Sequence, residues 1–370
     1  MTDRAHLAFT LALHRALAPD PTDDVCWSPF SVASAVRLVA AGAAGMTRDE
    51  LVVLLLGDKS GDIQALGRLL DEAATLAPAG RDEQEPVLAV SNTMWADASL
   101  RLREDFVDEV ARTAGGSVQP APFSTDPGAA RKLINNDVAE TTRGLIPNLV
   151  PDGAIRKDTR AALVNALYLK CGWRHRFAEE ATVPGPFRVP GGTIEVPTME
   201  LTESVGYAAR DGWQVIGLPA VGGVEATVLL PDGDLAETES WLDASMLADL
   251  IDAQRSTQVR LRLPKLDLST QAELTPALNE RSVRTVFTDD ADLSGISPDS
   301  LAVQAVLHQS VLKLDEQGLE GAAATAIMFR LTGISMEQPV EVHVDRPFLL
   351  LVRHAATGVV YFAARVVTPG

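Results

Sequence analysis

A serine and a histidine of this sequence could act as a nucleophile and its base. The residues around them show whether the sequence fits a hydrolase. Ser28 and His308, with many aspartates, supply the residue types of a catalytic triad. No G-x-S-x-G turn, which exposes such a serine in α/β-hydrolases, surrounds Ser28. Ser28-Pro29 instead has the pattern of a helix start, since serine is a good N-cap and proline suits the first turn. The pattern therefore disfavours a hydrolase, and we expect no enzyme.

Cys26 and Cys171 are the two cysteines, and each lies in an apolar segment. Cysteines in such segments are more often inert buried thiols than a disulfide. The sequence has no C-x-x-C pair, no metal-ligand spacing and no glycine-rich phosphate loop. It therefore predicts neither a metal nor a cofactor.

The formal net charge of −18 limits the classes of partner. An acidic chain is a poor match for nucleic acids and for anionic membranes. No apolar run reaches the roughly 18–20 residues that cross a bilayer. The first residues carry charges early and resemble an amphipathic helix more than a secretory signal. The sequence alone therefore predicts a cytoplasmic protein.

Helices and strands must position any site. The sequence predicts mainly helices in its first third and mainly strands after it. Because there is no regular βαβ alternation, this order predicts an α+β fold. There is no internal repeat and no linker, so we expect one domain spanning residues 1–370. The helix signals are an apolar face (Leu7, Leu11, His14, Leu17), the Ser28-Pro29 start, a capping box from Thr47 to Glu50, and a helix over 127–143 that stops at Gly144. The expected strands are 87–95, 162–170, a hairpin around Gly222-Gly223, 259–268, 301–314 and two C-terminal strands.

One segment fits none of these elements. Between the strands that end near Leu314 and begin near Val340, residues 321–326 are all small, without proline or charge. Such a segment is acceptable as a helix, a strand or a loop, which makes it a candidate conformational switch. On composition alone, a plain surface helix or connector is the favoured alternative.

The segments around it contain five motifs, DVCWSPFSVASAVRLVAAGAAGMT (24–47), INNDVAETTRGLIPNLVPDGAIRKDTRAALVNALYLKCGWRHRF (134–177), LPKLDL, VLHQSVLKLDEQG and DRPFLLLVRHAATGVVYFAARVV. Together and in this order, these motifs make the sequence similar to the serpins over nearly its whole length. The resemblance implies a serpin fold with one large mixed β-sheet, two smaller sheets, eight or nine helices and an exposed reactive-centre loop at about 316–339.

The resemblance also implies a mechanism, that of a suicide inhibitor of serine proteases. The fresh protein would be a metastable monomer. A target protease attacks the loop, becomes covalently acylated, and is carried away as the cut loop inserts into the large sheet. The implied hinge of the loop comprises Glu316, Gly318, Leu319, Glu320, Gly321, Ala322, Ala323, Ala324, Thr325 and Ala326. An extracellular location is possible by the same resemblance.

Alternation along the hinge is compatible with insertion, because an inserted strand needs alternate side chains toward the core. If the strand starts at Gly318, the core-facing residues are Leu319, Gly321, Ala323, Thr325 and Ile327. The opposite face carries Glu320, Ala322, Ala324, Ala326 and Met328. The one charge therefore falls on the outer face.

Two further clusters are implied by the resemblance. The shutter, which lets the sheet open, corresponds to Ser31, Asn165 and His308, with Ser28 nearby. The breach, at the top of the sheet, corresponds to Trp173 and to an ion pair between Lys265 and Glu316.

The reactive bond is implied by counting from the hinge. The usual count gives Thr332-Gly333, and a loop shorter by one residue gives Leu331-Thr332. Leu331 suits a chymotrypsin-like protease, whereas Thr332 suits elastase- or subtilisin-like proteases with small pockets.

Two residues depart from the family pattern. Leu319 stands where serpins usually have threonine or serine, and we expect it to slow insertion. Cys171 replaces a usual glycine. The alternative function is a non-inhibitory serpin acting as carrier, chaperone or storage protein. Such members tend to have bulky or charged hinges, and the small residues at 321–326 argue against it.

Overall fold

The computed structural model of the protein describes residues 4–81, 83–304, 306–319 and 338–369, and its helices precede most of its strands. The nine α-helices of these residues are α1 (Arg4–Leu17), α2 (Pro29–Gly42), α3 (Gly45–Leu56), α4 (Ile63–Ala73), α5 (Glu104–Ala111), α6 (Pro127–Thr141), α7 (Leu235–Ser240), α8 (Ala244–Asp252) and α9 (Thr275–Glu280). The strands are β1 (Val25–Trp27), β2 (Val87–Asp97), β3 (Gly116–Ala121), β4 (Ala161–Gly172), β5 (Val183–Val189), β6 (Gly192–Arg210), β7 (Trp213–Ala220), β8 (Val224–Pro231), β9 (Arg255–Pro264), β10 (Leu266–Glu273), β11 (Val306–Leu314), β12 (Gly318–Leu319), β13 (Val340–His343), β14 (Phe348–His354) and β15 (Val360–Val366). The α+β prediction is confirmed.

The sheet that carries the site has six strands in the order β10-β11-β12-β4-β2-β3. Its central strand β4 is covered on both faces, as its continuous apolar sequence predicts. Leu167 and Leu169 point into the main core. Val164 and Ala166 point into a second, separate core beneath α6, where they join Ile134. The helix α6 therefore covers one face of this sheet through a small core of its own.

The other strands form one nine-stranded sheet, in the order β1-β15-β14-β8-β7-β6-β9-β13, with β5 also paired to β6. The resemblance to the serpins implied two smaller sheets here. They are joined because β6 runs for 19 residues without a turn. It pairs with β9 over 198–207 and with β7 over 206–210.

The starts of α2 and α6 are capped locally, by the side chains of Ser28 and Asp126. The Ser28 hydroxyl accepts the Ser31 N–H at 3.2 Å and starts α2, with Pro29 in its first turn. The Asp126 carboxylate accepts the Ala129 N–H at 2.9 Å and starts α6. The predicted start of the second helix and the predicted 127–143 helix are confirmed, to within two residues at the end.

The capping box predicted at Thr47 is wrong. Helix α3 already begins at Gly45, so Thr47 lies inside it, and the Thr47 hydroxyl accepts the Asp292 N–H at 2.9 Å. Glu50 accepts the N–H groups of Arg284 and Thr285, each at 2.8 Å. Both side chains therefore serve distant backbone groups that the local pattern could not reveal.

The strand predicted over 301–314 is shorter than expected. Strand β11 begins at Val306, and residues 301–304 are outside any strand. The Val303 N–H instead donates to the carbonyl of Val286, in a short 3₁₀-helix, at 3.0 Å. An apolar run can pack into a core without joining a sheet, and residues 301–304 are such a case.

The predicted thiols and the membrane prediction can be compared directly with the structure. Cys26 and Cys171 are both buried and both free. Burial raises the pKa of each thiol to about 12, so neither is a reactive thiolate at neutral pH. Among the described residues, no helix is both long and apolar enough to cross a bilayer.

Candidate functional site

A tight turn connects β11 to β12 at the upper end of the six-stranded sheet. The Asp315 N–H donates to the Gly318 carbonyl at 3.0 Å. The Asp315 carboxylate accepts the N–H groups of Gln317 at 2.8 Å and Gly318 at 3.2 Å. The chain therefore reverses within four residues, and β12 runs antiparallel to β11.

The two residues of β12 lie between β11 and β4. Leu319 is opposite Leu314 on one side and opposite Cys171 on the other, and it is fully buried in the main core. Gly318 is opposite Gly172. A Cβ atom on Gly318 would lie 2.2 Å from the Cys171 carbonyl oxygen, so this approach of two backbones requires glycine. The start of the predicted hinge is thus already a strand of the sheet.

Below β12, strands β11 and β4 come together. In the described part of the chain they pair directly at two levels, Val306 with Leu163 and Leu307 with Val164. The next six residues of each strand, about 20 Å of sheet, have no direct pairing with each other among the described residues. The two partners of Leu319 nevertheless keep the same register offset. The two strands therefore hold one register while diverging by the width of a strand.

The three residues of the predicted breach meet at this turn. The Trp173 indole N–H donates to the Asp315 carbonyl at 2.8 Å, and the Trp173 backbone N–H donates to the Gln317 carbonyl at 3.0 Å. The Lys265 ammonium lies 2.8 Å from one oxygen of the Glu316 carboxylate. These contacts fasten both sides of the turn, one to β4 and one to the start of β10.

Glu316 is a buried carboxylate with two donors. The Thr182 hydroxyl donates to its second oxygen at 2.7 Å, and its side chain is 8% exposed. Burial opposes ionisation, but the hydrogen bonds from Lys265 and Thr182 outweigh it, so the pKa of Glu316 lies below its ordinary value. The carboxylate is therefore charged at neutral pH and holds the turn in place.

The four residues of the predicted shutter lie near the middle of the sheet. The Ser28 backbone N–H donates to His308 Nε2 at 3.1 Å, and the Ser310 hydroxyl is 2.9 Å from the same nitrogen. Ser31 joins through its N–H bond to the Ser28 hydroxyl. This arrangement connects the start of α2 to strand β11. Burial lowers the pKa of His308 to about 4, so the imidazole is neutral at physiological pH.

Asn165, the fourth residue, forms its hydrogen bond with a residue outside the predicted shutter. Its amide donates to the Asn92 side chain on β2. Sequence reasoning missed both Asn92 and Ser310. Their signal was present, because Asn92 is a polar residue in a buried strand and Ser310 shares the inward alternation of His308.

Three polar atoms of the shutter have no hydrogen-bond partner among the described residues. They are Ser31 Oγ, Asn165 Oδ1 and His308 Nδ1. Buried polar atoms in native proteins are usually paired. The cluster can therefore accept new hydrogen-bond partners without first losing old ones.

The geometry of Ser28 and His308 does not suit hydrolysis. His308 accepts from the backbone of Ser28, while the Ser28 hydroxyl accepts from Ser31. Both side chains are buried, at 1% and 3% exposure. A base must reach the hydroxyl of its nucleophile, and a substrate must reach both. These residues connect structural elements instead.

Part of the predicted site lies outside the described residues. This applies to the hinge residues Glu320, Gly321, Ala322, Ala323, Ala324, Thr325 and Ala326, and to the proposed reactive bonds at Leu331, Thr332 and Gly333. Their roles stay predictions.

Known proteins are similar to this chain over nearly its full length. A family model described as "Serpin (serine protease inhibitor)" matches residues 4–369. Serpin-Z7 of Hordeum vulgare is 31% identical, with 98% of this chain and 94% of that protein covered. Serpin-Z2A of Triticum aestivum is 30% identical over 99% of this chain and 95% of that protein.

Solved structures of the same fold also match. Uncleaved ovalbumin superposes with a TM-score of 0.87 at 24% identity, covering 99% of both chains. A complex of thyroxine-binding globulin with thyroxine superposes with a TM-score of 0.85 at 23% identity, covering 99% of this chain and 98% of that one. At these identities the likeness establishes the fold alone.

Proposed function

Because this chain belongs to the serpin family, we propose that it is a suicide inhibitor of chymotrypsin-, elastase- or subtilisin-like serine proteases. The observation that carries this proposal is the position of β12. Its two residues lie in register between β11 and β4, where an inserting loop would continue.

In the proposed reaction, the protease serine attacks the carbonyl carbon of Thr332, or of Leu331 in the alternative register. An ester forms with that carbonyl, and the amine of the following residue leaves. Ordinary hydrolysis of the ester competes, so insertion must be faster than the attack of water. The protein itself then acts as a spent substrate and not as an enzyme.

The register of β12 places opposite charges level with each other along the proposed path of insertion. A strand continuing from Leu319 would bring Glu320 level with Lys313 of β11 and with Lys170 of β4. These positions lie on the face opposite to the main core, where the alternation places Glu320. Glu320, the only charged residue of 318–328, would thus enter between two cations, and its charge and theirs attract each other.

The same register predicts where insertion meets resistance. Thr325 would come level with His308 and Asn165, at the shutter. Up to that level β11 and β4 are not directly paired with each other, so the strand gains bonds without breaking theirs. Beyond it, the direct ladder at Val306 and Leu307 must separate. Two unpaired atoms of the shutter, Asn165 Oδ1 and His308 Nδ1, belong to residues of this level and are available for new hydrogen bonds.

The energy of insertion is large enough to drive the change. A central strand of about ten new backbone hydrogen bonds contributes on the order of 10 kcal/mol at about 1 kcal/mol each. That amount is comparable with the whole stability of a typical domain. A strand of about 14 residues spans about 45 Å, so the acylated protease would be carried far from its docking position.

Incubation with chymotrypsin, elastase, subtilisin and trypsin tests the proposal. We expect a complex stable in SDS with at least one of the first three, and N-terminal sequencing of the released fragment gives the cut bond. The cleaved protein should melt well above the intact one, because the inserted strand stabilises the sheet. Cleavage without complex and without a rise in Tm would favour the alternative, a non-inhibitory carrier, chaperone or storage serpin. Sedimentation of the intact protein tests the predicted monomer.

A further inference from the structure

The upper part of strand β2 is paired on one side only. On the β4 side its ladder runs from Val87 to Ala96. On the β3 side the ladder begins only at Asn92. Among the described residues, the five residues 87–91 therefore have no strand on that side, which leaves about 16 Å of free sheet edge.

The segment that leads into β3 reaches β2 only at Gly115. The Gly115 carbonyl accepts the Asn92 N–H at 2.8 Å, and its φ of 65° lies in the left-handed region. A Cβ atom on Gly115 would lie 2.3 Å from the Val90 carbonyl oxygen. Gly115 thus covers that one oxygen and leaves the rest of the edge open.

Three backbone groups of this edge have no hydrogen-bond partner in the described ranges. Residues two apart in a strand direct their N–H and C=O groups to the same side. Since Asn92 donates to Gly115, Val90 and Leu88 also face the edge. The free groups are the Val90 N–H and both the N–H and the C=O of Leu88.

Native proteins usually protect a free sheet edge with proline, charged residues or bulges. Strand β5, which pairs only with β6, carries Pro184, Pro186 and Arg188. Residues 87–91 (VLAVS) contain neither proline nor charge. The chain therefore protects one edge and leaves this one able to accept a further strand.

A solvent-open groove with about 500 Å³ of free space adjoins this edge. It is lined by residues 88–90 of β2, by Glu140, Thr141 and Arg143 at the end of α6, and by the small residues Ala74, Ala114 and Gly115. The volume lies within the range of ligand clefts. A strand of four or five residues would find both room and backbone partners here.

The α6 side of the groove is acidic. In the part of the chain that the structure describes, the Glu140 carboxylate has no ion pair or hydrogen bond. Asp137, three residues earlier on α6, accepts one long hydrogen bond of 3.4 Å from Ser91. Burial raises the pKa of Asp137, and the charge of Glu140 adds to this rise. The Arg143 guanidinium lies 5.0 Å from the Tyr168 ring, so a cation in the groove would be attracted to the two carboxylates.

We propose that this groove binds an extended peptide segment of another protein, one that carries lysine or arginine, as an added strand beside residues 87–91. The peptide backbone bonds to Leu88 and to the Val90 N–H, as in other cases of strand addition. Alternate side chains of the peptide bring the cation to Glu140. A second copy of this chain fits less well, because each copy has a formal net charge of −18. The site uses neither the hinge nor the gap between β11 and β4, so it does not depend on protease inhibition.

Isothermal titration of the intact protein with acetyl-Lys-Thr-Lys-Thr-amide tests the site. Two analogues of the same charge, N-methylated at both lysines or at both threonines, separate strand addition from plain attraction to an acidic protein. Only one of these sets of N–H groups faces β2, so we expect one analogue to bind at least tenfold more weakly than the other. A peptide with glutamate in place of lysine should bind at least tenfold more weakly than the parent. Equal affinities of the two N-methyl analogues, or no binding of the parent peptide, would overturn the proposal.

A variant pair and hydrogen exchange locate the binding. Glu140→Gln should weaken the parent peptide at least fivefold, whereas the matched control Glu195→Gln, at an exposed glutamate of β6, should leave its affinity unchanged. In the wild type, saturating peptide should slow exchange of the Leu88 and Val90 amides at least tenfold. The amide of Ala89, which is paired with β4, should not change. Unchanged exchange at Leu88 and Val90, or equal affinities of the two glutamate variants, would place the peptide elsewhere and overturn the assignment.

Discussion

Lys265 and Glu316 form an ion pair of 2.8 Å in which the carboxylate is buried and the ammonium is 39% exposed. Replacing Lys265 by methionine leaves the buried charge with Thr182 as its remaining side-chain donor. We expect Lys265→Met to lower the free energy of unfolding by about 2 kcal/mol, between the values for exposed and buried pairs. The matched control is Lys313→Met, which breaks an exposed pair with Asp267 and should cost about 0.5 kcal/mol or less. Urea unfolding measures both.

The effect of Lys265→Met should also depend on pH. The pKa of Glu316 is lowered in the folded protein, so its pairing stabilises the fold above the ordinary carboxyl pKa of about 4.3. This contribution is lost as the pH falls through the lower, folded value. The difference between wild type and Lys265→Met should therefore shrink in acid. A difference that stays constant from pH 7 to pH 3 would contradict the role given to this pair.

His308 predicts a second pH dependence, of another origin. Its pKa is about 4 in the folded protein against about 6.5 in an unfolded chain. Between these values the unfolded chain binds a proton and the folded protein does not, so stability falls as the pH decreases. We expect this residue to account for a loss of about 2 kcal/mol between pH 7 and pH 5. His308→Gln should remove that part of the slope, whereas the exposed control His343→Gln should not. Equal slopes for all three proteins would disprove the assignment.

The sequence predicted those parts of the fold that depend on local patterns. Apolar alternation and caps located most helices and strands, including the buried β4, because each element carries its own periodicity. It could not predict that the two smaller sheets share β6, since strand pairing is a long-range property. It also failed at Thr47, whose hydroxyl serves Asp292 from a distant loop.

The candidate site was predictable as a set of residues but not as a geometry. The motifs pointed to Trp173, Lys265, Glu316 and His308, and the structure brings the first three to one turn. They could not show that Leu319 is already buried between β11 and β4. Leu319 was expected to slow the first step of insertion. In the structure this side chain already lies buried between the two strands, because the turn at Asp315 directs it into the core.

If insertion follows the register of β12, the charge of Glu320 should affect the yield of the inhibited complex. Its position level with Lys170 and Lys313 implies attraction during the first step. Lys170→Glu should slow insertion and lower the yield of SDS-stable complex several-fold, with more cleaved inhibitor in its place. In a Glu320→Gln background Lys170→Glu should have little effect on the yield, because the charge that it repels is gone. If Lys170→Glu lowers the yield as much in that background as in the wild type, the two residues do not meet.

Ala323 and Ala322 give the sharpest comparison within the hinge. In the same register Ala323 comes level with Ser310 and Leu167 and faces the main core. A carboxylate there would cost several kcal/mol, so Ala323→Glu should turn the proposed inhibitor into a substrate that is cut without forming a complex.

Ala322→Glu is the matched control for that change. Position 322 comes level with Tyr168 on the opposite face of the sheet, where Arg143 lies 5.0 Å from the Tyr168 ring. A carboxylate near this cation should be tolerated, and most of the complex should remain. Gel electrophoresis with chymotrypsin or subtilisin measures both variants, and equal yields would show that the inserted strand does not alternate as proposed.

Adding a single methyl group at Gly318 should prevent β12 from pairing with β4. A Cβ at Gly318 would meet the Cys171 carbonyl oxygen at 2.2 Å and the Gly172 Cα at 2.7 Å, and both are backbone atoms that cannot turn aside. Gly318→Ala should therefore expel β12, expose Leu319 and cost about 1–3 kcal/mol, as overpacking does. The neighbouring Gly172 is a close control, because its Cβ would find the Gln317 carbonyl oxygen at an ordinary 3.5 Å.

Hydrogen exchange and tryptophan fluorescence separate these two variants. In Gly318→Ala the amides of 315–319 should exchange faster, and the emission of Trp173, whose indole donates to Asp315, should shift to the red. Gly172→Ala should behave as wild type in both measurements. Strand β12 pairs with β4 through both Gly318 and Leu319. If the amides of Gly318→Ala exchanged at the wild-type rate, the start of the hinge would not be docked in solution. The proposed insertion would then have to start from an undocked loop.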